Sequence, residues 1–518
     1  MQRDYIIHSS MFILYHLTFI LYLDFFKVMI IIFICEGWFL MNLYKKSGIS
    51  KKTYYSEVMS LAVPAFSEKL LLTLVGLISS VILGRVTGSE AMSAASAATT
   101  ITDILQALYL GFGFGASILI AREAGRENPK KRINEITLNS IYLNAAMGLI
   151  FGTVCLIFSE SVLKLLFSKK AENVILLATD YLKTVLPISF IAAVDASVSS
   201  CLRGAHDAKT PFIITAGVNV LNAVLCIVFI GFMDMGIKGA AVSYVISTVA
   251  GCLFRLLFLK MKRSPIHIES FHKPDFFMMK RIANASISSA SQSFLTNLAF
   301  LGMQAVTSLI GTAALAGYQI ANNIIKLTYC ITYGFESAQA TLVGNNLGRK
   351  NPDGARLYAY GLLRTAEIFC LVWAVIMFVF AKPLCLLFIN QSETETLSRA
   401  VVILRVLCFS VPITTYFQGC QGALKSGGET AAIIISTVLG PWVIKVPLSY
   451  FLVKAIVDGR LFAFLGPLFS GTALYPLAKT VLTDGVTGMM VGFFVDYTAR
   501  SIVYAVRLHK ERWLTARL

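Results

Sequence analysis

The sequence predicts an all-α polytopic membrane protein, with twelve transmembrane helices in two pseudo-symmetric six-helix lobes. Three observations carry that prediction. Of the 518 residues, 56% are hydrophobic and only 14% charged, whereas a soluble domain devotes about 25% of its residues to charge. The apolar residues gather in recurrent windows of the length a bilayer demands, about 20 residues per helix. The second half of the chain also repeats the first at a fixed offset. Together these exclude an ordinary soluble enzyme, a disordered chain and a secreted disulfide scaffold. The net charge of +17 reads as cations held in loops on one side of a membrane. The expected macromolecular partner is therefore the lipid bilayer and not nucleic acid. The ten cysteines are scattered and form no CxxC pair, so neither a metal site nor a disulfide framework is expected.

Residues 11–34 are apolar but hold Asp24 and Lys27, and Met41 then opens MNLYKKSGISKK. This stretch reads as an extra N-terminal helix, a signal anchor or translated upstream sequence; it lacks a small-residue cleavage site. Six apolar spans follow at 58–84, 91–120, 134–158, 176–201, 211–233 and 239–259. A polar linker from Lys260 to Arg281 separates them from six more at 284–310, 313–343, 357–380, 400–424, 430–453 and 484–506. Residues 461–477 are apolar too, but Gly466, Pro467, Gly471 and Pro476 interrupt them. That stretch reads as an interfacial or re-entrant insertion. The expected organisation is an N-terminal extension and start (1–55), an N-lobe (56–260), a linker (261–283), a C-lobe (284–507, with the insertion at 455–483) and a tail (508–518).

Loops on one side of this arrangement carry 25 Lys and Arg, and those on the other side carry ten. The basic side is expected in the cytoplasm, placing both ends of the main body there. The two halves align at an offset of 223 residues: 88–129 over 311–352 gives eleven identities in 42 ungapped positions. GRENP (125–129) falls on GRKNP (348–352). Six spans separate the copies, so both have the same membrane orientation, the parallel-repeat plan of some secondary transporters.

These motifs carry a family resemblance. LAVPAFSEKLLLTLVGLISSVILG (61–84), the GREN turn, RGAHDAKTP (203–211), AGYQIANN (316–323), LVGNNLGRKNP (342–352), KVPLSY (445–450) and HKERW (509–513) together resemble the multidrug and toxic compound extrusion (MATE) transporters. The resemblance implies two six-helix lobes around a V-shaped cleft in a bacterial cell membrane. It implies export of amphipathic, often cationic compounds by a single chain, driven by H⁺ or Na⁺ with no other cofactor. The sequence departs from the family at two positions where an acid is expected. Counting from Pro64, the acid of the first helix falls on Ser79; counting from Asn222, that of the fifth falls on Cys226.

An ionisable group within a span is costly and is a functional candidate by default. The ion-coupling candidates are Glu68, Asp103 and Asp195, three acids expected to face one another inside the N-lobe. Glu68 adjoins Lys69, so an interfacial position is the bland alternative. Asp103 aligns with Lys326 across the repeat, as a gate or as a structural pair. The substrate-cleft candidates are Tyr318, Gln319, Asn322, Lys326 and Lys445; helix packing is the competing role for the amides. The leading function is an ion-coupled exporter. Its rival is a flippase or exporter of lipid-linked sugar precursors, whose pyrophosphate cargo calls for a cleft rich in cations. An enzyme is not expected, because HExxH, GxSxG and P-loop motifs are missing from the sequence.

Overall fold

The computed structural model describes residues 40–87, 89–126, 129–166, 172–268, 272–389, 393–463 and 485–514. The readings made for residues 11–34 and for most of the insertion at 455–483 lie outside the described residues. Among those described there is no strand. The N-lobe contains α1 (Lys51–Thr87), α2 (Ser89–Ala124), α3 (Lys130–Leu166), α4 (Glu172–Val185 and Ser189–Gly204), α5 (Lys209–Cys226) and α6 (Gly236–Lys260). The C-lobe contains α7 (Phe276–Ser308), α8 (Thr312–Gly348), α9 (Pro352–Val379), α10 (Thr394–Ser426), α11 (Thr430–Val457) and α12 (Gly485–His509).

Local chemistry explains several boundaries. Asn351 caps α9 by accepting a hydrogen bond from the Gly354 amide at 2.9 Å, and Pro352 follows at the first turn, where a missing N–H costs nothing. Asp275 caps α7, accepting from Phe277 at 2.9 Å. Pro187 breaks α4 into two pieces through a 3₁₀ turn at Leu186–Ile188. Around Pro441, α11 widens into a π turn at Leu439–Lys445, since proline supplies no amide for the ladder. Pro64 and Pro412 sit within continuous helices.

Nine helices among the described residues, α2–α6 and α9–α12, are long and apolar enough to cross a membrane. Their outer faces expose large apolar side chains such as Ile157, Phe232, Val372 and Ile502, as lipid contact requires. Helices α7 and α8 instead bury polar side chains, Ser286, Ser288 and Ser289 on α7 and Gln339, Asn345 and Asn346 on α8. Both run along the boundary between the lobes.

The packing reproduces the repeat. Helix α2 packs on α3 and α4 as α8 packs on α9 and α10, and α1 packs on α5 as α7 packs on α11. Between the lobes, α2 packs on α7 and α8 on α1, while α2 and α8 meet each other. Exchanging the lobes exchanges these contacts, which is the signature of a twofold axis along the helices.

The two aligned turns lie at the same end of the molecule and touch. A Cβ at Gly348 would overlap the Arg122 carbonyl oxygen and lie 3.2 Å from the Gly125 Cα. A Cβ at Gly125 would overlap the Asn345 carbonyl oxygen. Glycine at both places lets two backbones approach without side chains. Above this contact Phe114, Ile118 and Ala340 form an apolar seam between α2 and α8. The seam gives a direct test. Gly348→Val should pry α8 from α2 and raise maleimide labelling of a cysteine placed at Ala340 by about tenfold, equivalent to ~1.4 kcal/mol of seam opening. Labelling as slow as in the Gly348 parent would show that the glycine contact does not hold the seam.

Candidate functional site

The N-lobe joins two of the predicted acids through a chain of buried polar groups. Glu68 lies one turn beyond Pro64 on α1 and is enclosed by protein, 6% exposed. Its Oε2 accepts from Arg203 Nη1, on the last turn of α4, at 2.7 Å. Its Oε1 accepts from Thr215 Oγ1 of α5 at 3.1 Å. Thr215 in turn accepts from Arg255 Nη2 of α6 at 2.5 Å. Arg255 Nη1 donates to Asp195 Oδ1 of α4, also at 2.5 Å. Two acids and two guanidiniums thus alternate along one path through four helices. Both arginines are buried, while the Asp195 side chain keeps 20% of its surface exposed.

The energetics of this chain follow from desolvation. An ion inside an apolar lobe loses its hydration, and only a well-placed counter-ion with further hydrogen bonds restores it. Thr215 supplies the bridging bonds. Sequence reasoning singled out Glu68 and Asp195 but missed Arg203 and Arg255. The signal was available in GCLFRLLF, where an arginine interrupts an apolar span. Cys226, at one position where the family places an acid, donates its thiol to Asn222 Oδ1 at 3.3 Å. The side-chain surroundings of Ser79 lie outside the described residues.

Asp103 sits apart from that chain and is exposed. It lies within electrostatic reach of Lys69 on α1 and of Lys326 on α8, which also act on each other. Tyr244 of α6 senses both Asp103 and Asp195. The expectation of three mutually facing acids is therefore corrected for Asp103: its neighbours are cations, because α2 faces the lobe boundary and α4 the lobe interior. Lys69 points over the Tyr333 ring at 6.0 Å, and Lys326 over Phe300 at 5.6 Å. Lys326 also donates to Asn323 Oδ1 at 3.4 Å. Between the levels of the two lysines, one turn from each, Thr73 and Cys330 meet across the lobes at 3.6 Å. Gln319 and Lys326 are exposed on one face of α8 with the buried Asn322 between them.

The C-lobe holds a second cluster that sequence reasoning identified only in part. Lys445, in the π turn of α11, lies over the Phe493 ring at 3.7 Å and the Tyr497 ring at 5.3 Å. Tyr318 is buried against Phe300 and Phe493, with centroids 6.0 and 6.4 Å away. On α12, Asp496 is fully buried and pairs with Arg500, one turn on, at 2.5 Å. The Arg500 guanidinium covers Phe417 at 4.4 Å. Asp496 and Arg500 were missed, although an acid and a base four residues apart in an apolar span are a readable pair.

Removing one partner of a buried pair leaves the other charge uncompensated. Arg255→Gln should therefore destabilise the protein by about 3 kcal/mol, read as a lower unfolding temperature in detergent. Adding Asp195→Asn should restore much of that loss. An Arg255→Gln variant as stable as its parent would show that the pair carries no charge balance.

Comparisons agree with this architecture. A family model, MatE, matches residues 64–228 and again 289–451, together more than half the chain and once per lobe. The probable multidrug resistance protein NorM of Thermotoga maritima is 28% identical over 420 residues, covering 79% of this chain and 88% of the relative. The probable multidrug resistance protein YoeA of Bacillus subtilis is 22% identical, over 78% of this chain and 88% of its own length. Among solved structures, an outward-facing multidrug resistance MATE family transporter of the MOP superfamily superposes with a TM-score of 0.77 at 21% identity, covering 88% of this chain and 96% of that one. A MATE structure in the straight conformation gives 0.76 at the same identity, covering 88% and 95%. The doubled match, the doubled packing and the shared fold establish that this chain belongs to the MatE family of membrane transporters.

Proposed function

We propose that the protein is a secondary antiporter that exports small amphipathic compounds by alternating access of its interlobe cleft, and that inward H⁺ flow drives it. The observation that carries this reading is the N-lobe chain, with one partly exposed acid, Asp195, at its end. A proton arriving at Asp195 neutralises the carboxylate that holds Arg255. The freed guanidinium then shifts its bonding toward Thr215 and Glu68, changing how α4, α5 and α6 hold together. Two guanidiniums already occupy the acids, and their charge disfavours Na⁺ beside them; this supports H⁺ as the coupling ion. In this reading Glu68, tied to both Arg203 and Thr215, is the anchor, and Asp195 is the exchanging group.

The lobe contacts support alternating access. They run from the Gly125–Gly348 contact up to the Thr73–Cys330 pair, with the exposed Asp103 and Lys326 beyond. The end where the lobes pack is the basic end, which in this reading faces the cytoplasm. One proton crossing 100 mV supplies about 2.3 kcal/mol, roughly a fiftyfold concentration ratio.

Proteoliposomes with an imposed pH gradient test the coupling, using a panel of cationic, zwitterionic and anionic fluorescent amphiphiles. Gradient-driven transport of at least one probe is expected. Asp195→Asn should reduce it to the rate of empty vesicles, while Glu68→Gln should retain part of it. If both variants transport at the parent rate, the coupling assignment is wrong.

A further inference from the structure

Among the described residues, the charges at the floor of the cleft do not balance. Three of them sit where the interlobe packing ends: Lys69 from α1, Asp103 from α2 and Lys326 from α8. Each acts electrostatically on the other two. Their sum is one positive charge. The two lysines come from different lobes and flank the Thr73–Cys330 contact, and Cys330 is within electrostatic reach of both. Around them are the faces of Tyr333 and Phe300, and along α8 Asn322 lies one turn and Gln319 two turns above Lys326. The amide nitrogen of the buried Asn322 finds no hydrogen-bond partner among the described residues. Two ammoniums on opposite walls, an unpartnered amide donor and two aromatic faces make a site for an anion attached to an apolar body.

We propose that this floor binds the carboxylate of an amphiphilic cargo, held between Lys69 and Lys326. One carboxylate brings the cluster to net zero. A pyrophosphate, with two or more negative charges, overshoots that balance, and an isolated cation meets net repulsion. Asp103 is the built-in competitor: it lies within electrostatic reach of both lysines and turns toward Tyr244 when cargo enters. Because the lysines belong to different lobes, a bound carboxylate also draws α1 and α8 together above the existing seam. The proposal rests on the export reading, for which it names the cargo class, and it departs from the cationic cargo that the family resemblance implies.

The test is equilibrium binding to the purified full-length chain in detergent, which requires neither transport nor a gradient and so fails independently of the coupling reading. The probe is 11-(dansylamino)undecanoic acid, compared with its primary amide and with the analogue bearing a trimethylammonium head. The acid should bind about tenfold tighter than either analogue, the scale of one added charge contact. Lys69→Met and Lys326→Met should each remove that preference, whereas Asp103→Asn should strengthen acid binding. The opposite signs separate a site effect from a folding defect, since misfolding weakens every probe. Farnesyl diphosphate should compete less well than the acid. Equal binding of acid and amide, tighter binding of the trimethylammonium probe or of the diphosphate, or no binding of any probe would each overturn the proposal.

Discussion

The structure is governed by the cost of placing charge inside an apolar lobe. Hydration lost on burial must be replaced by a counter-ion and by hydrogen bonds that use the remaining lone pairs and protons. The protein meets this constraint with pairs that cross between helices. Glu68 and Asp195 are matched by Arg203 and Arg255 through Thr215. In the C-lobe, Glu336 of α8 holds Lys425 of α10 at 2.6 Å, and that ammonium also lies over Phe114 of the other lobe at 5.0 Å. Each pair fixes the rotation of the helices that carry it, so helices whose apolar faces would otherwise slide are locked in one register.

The duplication sets two such bundles against each other. The lobes share cores at the end where they meet: Tyr54, Val58, Leu61 and Ala62 of α1 pack within the C-lobe core, and Met278, Ile282 and Ala285 of α7 within the N-lobe core, beside the close backbone approach at Gly125 and Gly348. Rocking of one lobe against the other about this packed end is the motion that the proposed alternating access requires. The lobes are alike in packing and unlike in chemistry. Asp103 in one aligns with Lys326 in the other, so the interior of the cleft is asymmetric even though its frame is not. The twofold axis along the helices relates one lobe to the other and not an inward to an outward state; under the proposed transport cycle the asymmetry gives ion and cargo separate seats.

The frame was legible in the sequence because lipid imposes a simple rule on length and composition. Spans, basic loops and the 223-residue offset are all one-dimensional signals, and the twelve helices follow them. Helices α7 and α8 read less clearly by hydropathy, since residues such as Gln339 and Asn345 face another helix and not lipid. The site was legible only in part. A charge in a span can be read, which singled out Glu68, Asp103, Asp195 and Lys445. Which helix faces it cannot be read, because the partners are distant in the chain: Arg203 lies 135 residues from Glu68 and Arg255 lies 60 from Asp195. Asp103 was grouped with the other acids for the same reason, as its helix carries it to the lobe boundary. Asp496 and Arg500 are readable as a pair, but their charges cancel within one helix and nothing in their spacing shows that the cluster around Lys445 and Phe417 surrounds them.

The central claim is that the N-lobe acids form one coupled unit and not two separate pairs. A double-mutant cycle measures this directly, with unfolding free energies for Glu68→Gln, Asp195→Asn and the double variant in detergent. Coupling through Thr215 and Arg255 predicts a departure from additivity of about 1 kcal/mol or more. Changes that simply add, to within about 0.5 kcal/mol, would mean that the two acids act independently and that no signal passes from one to the other.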